Sequence, residues 1–157
     1  MTVSLSQNPN QAFPENALDI PLCAETPWRI AHVKSRREKA LASFLAGHNT
    51  PYFLPLIKKR QPSKDRNRYS LIPIFTGYVF FRADNQQRYQ ALTSGQIANV
   101  IEVKNQAQLV HELKQVNEAL QGELPIYPYD YVREGQMVRI VKGPMKDLQG
   151  IVQSKKS

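Results

Sequence analysis

The groups in this 157-residue chain that could ligate a metal or move a proton are three histidines, one cysteine and thirteen carboxylates. His32, His48 and His111 fall on three separate expected elements. None has a Cys or Asp at ligand spacing, so no metal site is expected. Cys23 sits in a polar N-terminal stretch, and no Cys-His or Ser-His-Asp pairing can be argued from it. Glu112 with Glu118 or Glu123 reads as solvated helix surface, not as an acid–base pair. A strand–GxxxxGK phosphate cradle is missing. The sequence therefore reads as a non-enzyme, with no catalytic residue and no cofactor.

Charge carries more information. The chain has 21 Lys and Arg against 13 Asp and Glu, a net of +8. Residues 1–27 hold three acids and no cation, while residues 28–68 hold eleven cations against only Glu38 and Asp65. A patch this concentrated attracts polyanions, nucleic acid first among them; the competing reading is a solvated surface that keeps the chain soluble. One cysteine excludes an intrachain disulfide and fits a reducing compartment. No apolar run reaches membrane-span length and no secretory leader is read. The expectation is a cytoplasmic protein with no membrane partner.

These cations need elements to hold them. Residues 1–27 contain "SQNPNQAFPEN", polar and aperiodic, and are expected to be a disordered tail. "WRIAHVKS" alternates as a strand, with Trp28, Ile30 and His32 on one face and Arg29, Ala31 and Val33 on the other. A helix follows, with Ser35 as N-cap, Glu38 as its capping-box partner and Ala40, Leu41, Phe44 and Leu45 as its stripe. "PYFLPLIKKRQ" reads as a second strand that Pro51 and Pro55 confine to an edge or bulge. "PSKDRNRYS" reads as a loop and "GYVFFRA" as the central strand. "NQQRYQALTSG" is a short helix capped by Asp84 or Asn85, "QIANVIEVK" a strand, and "NQAQLVHELKQVNEALQG" a third helix on Leu109, Leu113, Val116 and Leu120. The order predicts an α+β fold: a mixed or antiparallel four-stranded sheet with about three helices.

Three blocks together resemble the NusG family of transcription elongation factors. They are "WRIAHVKSRREKALASFL", "YFLPLIKKR…LIPIFTGYVFFRAD" and "YVREGQMVRIVKGPMKDLQGIVQ". The second carries Pro73, Phe75, Gly77, Tyr78, Val79 and Phe80 of the family signature, with Thr76 where the family usually has Pro. The third looks like a KOW motif, with Gly135, Val138, Gly143, Pro144 and Gly150 at its spacings. The long N-terminal stretch and the basic loop look more like the specialised RfaH-like or capsule-operon paralogues.

The resemblance implies an N-terminal domain of that family over 28–121, a linker at 122–130 and an incomplete KOW segment at 131–157. It implies binding to the clamp helices of RNA polymerase and suppression of pausing or termination. His32, Phe75 and Tyr78 match the polymerase contact, each weighed against ordinary packing. Lys34, Arg36 and Arg37 match the rim that faces DNA. Lys58, Lys59 and Arg60 could reach the upstream duplex as point charges. "TSGQIAN", before the last sheet strand, lacks the Arg or Lys that specialised members use on the non-template strand. A ribosomal protein or termination factor would be the KOW partner.

A KOW barrel needs about five strands. Only Met137–Val141 and Gly150–Val152 can be counted, around a turn at Gly143 and Pro144. The segment is therefore expected not to recruit partners as a free-standing domain. Two other readings stay open: an RNA- or ribosome-binding KOW protein, and an adaptor or antagonist that occupies the clamp without recruiting anything.

Overall fold

The computed structural model describes residues 8–61, 68–122, 137–139 and 147–151. The chain divides into two compact units, Met1–Val110 and His111–Ser157. In the first, five strands form one sheet: β1 (Ala12–Phe13), β2 (Trp28–Val33), β3 (Tyr52–Phe53), β6 (Tyr78–Arg82) and β7 (Ile97–Glu102). Their order is β1-β3-β6-β2-β7, and every neighbouring pair is antiparallel. "GYVFFRA" is the central strand, as its apolar run predicts. A separate two-stranded ribbon, β4 (Leu56–Gln61) and β5 (Arg68–Pro73), belongs to the same unit.

The fifth sheet strand comes from the supposed tail, so the sheet has five strands instead of four, and residues 8–27 are not the disordered stretch expected of them. β1 pairs with β3 through Ala12↔Phe53 and Phe13↔Tyr52. A 3-10 turn at Ala17–Asp19 follows and buries Ala17 and Leu18. The Tyr52 hydroxyl donates to Asn10 O at 2.7 Å, and Leu54 N donates to Gln11 O at 2.7 Å. Arg82, almost fully buried, donates Nε to Thr26 O at 2.9 Å and one terminal nitrogen to Ile20 O at 3.0 Å. Its other terminal nitrogen donates to Pro21 O. One side chain thus satisfies three backbone carbonyls of the N-terminal segment. Composition hides this, because every partner lies more than thirty residues away in sequence.

"PYFLPLIKKRQ" is not one strand. Pro55 has no N–H to give the ladder, and the chain leaves the main sheet after Phe53 to begin β4 at Leu56. Arg68–Ser70, read as loop, belongs to β5. On one face of the sheet, α1 (Glu38–Gly47) and α2 (Asn85–Thr93) bury the core. Leu41, Ala42, Leu45 and Ala91 meet Ala31, Val33, Tyr52, Val79 and Phe81 there. Leu41 and Leu45, one turn apart, supply the α1 stripe that the periodicity foretells. The α2 cap is Asp84: its carboxylate accepts from Gln87 N at 2.7 Å, and Gln87 Oε1 accepts from Asp84 N at 3.0 Å. This is a complete capping box.

The third helix, α3 (Gln106–Gln121), starts where Gln106 Oε1 accepts from Trp28 N at 2.7 Å and its Nε2 donates to Trp28 O at 2.9 Å. Leu109, Leu113, Val116 and Ala119 are its buried residues. In the second unit, β8 (Met137–Arg139) pairs with β9 (Gln149–Ile151), setting Gly150 opposite Val138. The expected KOW turn at Gly143 and Pro144 lies outside the described residues.

Tyr52 gives the fold a measurable pH dependence. Burial raises its phenol pKa from 10.0 to about 12. The folded state therefore holds the proton more tightly than the unfolded chain does. The associated stability is fully present below about pH 10 and is lost as pH rises through about 12. The difference corresponds to roughly 2–3 kcal/mol. Urea midpoints from pH 9 to 12 should fall more steeply in the parent than in Tyr52→Phe; parallel curves would contradict the assignment.

Candidate functional site

The strand pairing decides which side chains share the face opposite the core helices. Strand alternation puts Trp28, Ile30 and His32 of β2 there, with Arg82, Phe80 and Tyr78 of β6 directly across from them. Ile101 of β7 faces Ile30, and Asn99 faces His32. Trp28 and Arg82 form the closed end of this face. At the other end His32 is exposed and its ring stacks on Tyr78, centroids 5.1 Å apart. A cross-strand aromatic pair of this kind holds both rings in register.

A tight turn places the third residue. Tyr78 N donates to Phe75 O at 3.1 Å, closing a four-residue turn over 75–78. Gly77, its third residue, has φ +89°, the left-handed region a type II turn demands at this position. A side chain there would be strained, which gives the signature glycine its reason. Thr76 occupies the second turn position, where proline's fixed φ is also favoured. The turn presents Phe75, 36% exposed, with its ring edge-to-face on Phe80 at 5.6 Å. Phe80 sits between Phe75 and Ile30, so the His32–Tyr78 stack and Phe75 border one apolar strip that continues to the exposed Ile101.

Glu38 anchors this arrangement. Expected to cap its own helix with Ser35, it instead begins α1 and accepts from Gly77 N at 2.8 Å through Oε1. The N-cap is Arg37, which makes no side-chain capping bond. The carboxylate still lies in the first helical turn, where the helix dipole favours negative charge. Val33 N donates to Gly77 O at 2.8 Å, so Gly77 is fixed on both its N–H and its carbonyl side.

The same contacts bring the first basic cluster beside the aromatic turn. Val33 leads directly into Lys34, whose N–H donates to Gln96 O at 2.9 Å and whose carbonyl accepts from Arg37 N at 3.1 Å. Arg36 has φ +60° inside this turn. Lys34, Arg36 and Arg37 are all exposed. A bulge opposite His32 and Val33 leaves Ala98 of β7 without a facing residue, immediately beside the site. Lys58, Lys59 and Arg60 are exposed on β4 of the separate ribbon.

One cation of the basic quarter is withdrawn from the surface. Arg29 is buried and donates to Ala83 O at 3.1 Å, to Asn85 Oδ1 at 3.1 Å and to the Glu102 carboxylate, tying β2 to β7 and α2. Its alternation with Ala31 and Val33, both core residues, was the available signal.

The histidines stay apart. His48 Nδ1 lies 2.8 Å from Phe44 O and its ring stacks on Phe44, while His111 Nε2 is 3.1 Å from Gln115 Nε2. Among the described residues no three His, Cys, Asp or Glu side chains gather as a metal would require. No described helix is long and apolar enough to cross a membrane.

A family profile described as transcription termination factor NusG matches residues 26–129, well over half of the chain. The chain belongs to the NusG family. The match contains β2 through α3, and with them His32, Glu38, Phe75, Tyr78 and both basic clusters. The strand β1 and the 3-10 turn precede the matched residues in this NusG-family chain. No curated protein matches it at a significant level. As a NusG-family member the protein is a transcription factor, from a non-catalytic family that interacts with RNA polymerase.

Proposed function

We propose that the protein is a transcription elongation or antitermination factor that docks on the clamp helices of RNA polymerase and suppresses pausing or termination. The observation that carries this reading is the apolar strip of His32, Tyr78, Phe75 and Phe80, set by Glu38 and Gly77 directly beside Lys34, Arg36 and Arg37. Exposed His32 and Phe75 and half-buried Tyr78, backed by the buried Phe80 and rimmed by cations, suit a protein partner that itself lies against nucleic acid. Aromatic residues are enriched among interface hot spots, and their polar rim excludes water. The mechanism needs no bond making. Binding the active clamp state more tightly than the paused one shifts the population toward elongation.

In this reading Lys34, Arg36, Arg37 and the Lys58–Arg60 run face DNA and position the factor through phosphates. Affinity for a reconstituted elongation complex should then fall steeply with salt. The double variant Arg36→Ala/Arg37→Ala should reduce the log–log slope by up to about 1.8, at roughly 0.9 per duplex phosphate contact. An unchanged slope would mean that these side chains are only solvated. Equal binding to bare RNA in the absence of polymerase would favour an RNA-binding protein instead.

A further inference from the structure

We infer that the β4–β5 ribbon is a single-stranded nucleic-acid site in which Tyr69 stacks on a base, between cations that hold the flanking phosphates. The inference deepens the proposed contact of the Lys58–Arg60 run with nucleic acid and is independent of docking on polymerase. The ribbon stands outside the five-stranded sheet, and its register runs from Leu56↔Pro73 to Gln61↔Arg68. Alternation places Leu56, Lys58 and Arg60 on one face with their partners Pro73, Leu71 and Tyr69. At the base of that face Leu56 belongs to the core and Leu71 packs against it, so the ribbon is rooted. Farther out the apolar residues end and Lys58, Arg60 and Tyr69 remain.

Packing does not account for Tyr69. It is 43% exposed, whereas Tyr52 and Phe53 of the neighbouring strand are fully buried. Lys58 Nζ lies 4.5 Å from the centre of its ring, a cation–π contact that steadies the ring on one side. The opposite face of the ribbon adds Lys59 and Arg68. The two strands together carry four cations on twelve residues.

An aromatic surface interleaved with cations is what a flexible single strand can use. Its bases can turn onto the ring while its phosphates meet the lysines and arginines. A duplex keeps its bases stacked inside and offers this surface only phosphates. Tyr69 therefore separates a single-strand site from a general polyanion patch. Single-stranded DNA and RNA share the chemistry, and the probes distinguish them.

The test is fluorescence anisotropy of the full chain, without polymerase, on labelled oligo-dT, oligo-rU and a DNA duplex of equal length. Tyr69→Ala should weaken binding to at least one single strand by about 5- to 100-fold, the range expected for one lost stacked base. Tyr69→Phe, which keeps the ring, should bind as the parent does. Duplex affinity should be the same in all three proteins. Circular dichroism shows whether Tyr69→Ala keeps its fold; if it does not, Tyr69→Leu, which keeps an apolar side chain without a ring, takes its place. Preference for dT or for rU identifies the strand, and either supports the site. The inference is overturned if the folded ring-less variant binds both single strands as tightly as the parent, or if it loses duplex affinity to the same degree.

Discussion

Replacing Phe75 by alanine should weaken binding to RNA polymerase by about 30-fold or more while leaving the fold intact. The figure corresponds to roughly 2 kcal/mol, the loss that truncating an aromatic hot spot typically causes. Two observations set the expectation. The ring is partly exposed on the turn, and its edge-to-face contact with Phe80 of the sheet fixes its orientation. Losing that contact should cost only about 1 kcal/mol of stability. Binding and stability are thus expected to separate, which a core substitution would not allow. Tyr89, 70% exposed on α2 at the other side of the sheet, supplies the control. Tyr89→Ala should bind as the parent does. Equal losses from the two variants, or none from Phe75→Ala, would remove Phe75 from the interface.

Arg82→Ala should destabilise the protein by about 3 kcal/mol or more. The guanidinium is buried, and its removal leaves the carbonyls of Ile20, Pro21 and Thr26 without their donor, with a cavity beside them. Hydrogen bonds to a charged group contribute about 1.5–3 kcal/mol each, and stranding buried partners adds desolvation cost. Arg82→Lys cannot reproduce the fork and should recover only part of the loss. Amide exchange should show residues 17–27 opening before the core. An unfolding free energy from urea titration within about 0.5 kcal/mol of the parent's would mean that the N-terminal segment is held by something else.

How far the sequence discloses this molecule depends on how local each determinant is. Leu41 and Leu45 lie one helical turn apart, and the Asp84–Gln87 capping box spans four residues, so both can be read directly. The alternation of "WRIAHV" places Ile30 and His32 on one face, and the same rule applied to "GYVFF" links Tyr78 with Phe80. Extending that alternation would have added Ile30 and Phe80 to the site. The direct pairing of His32 with Tyr78 could not be read this way, because it is fixed by the register between strands more than forty residues apart. Glu38 illustrates the competition between local and distant partners. Its spacing from Ser35 satisfies a capping rule, yet its carboxylate is used by Gly77 across the fold. The N-terminal segment was least legible. Its main anchor, Arg82, is a single charged residue at the end of an apolar strand, and nothing in residues 8–27 shows that its carbonyls have a donor waiting. Charge alone likewise could not distinguish Arg29, which is buried, from Lys34, Arg36 and Arg37, which are exposed.

The central claim is action on elongating polymerase through its clamp helices. It is tested most directly by in vitro elongation on a pause-containing template, with the protein added to intact polymerase and to polymerase lacking those helices. The account predicts shorter pause lifetimes on the intact enzyme and no effect on the deleted one. Pausing changed equally in both enzymes, or unchanged in the intact one, would contradict it.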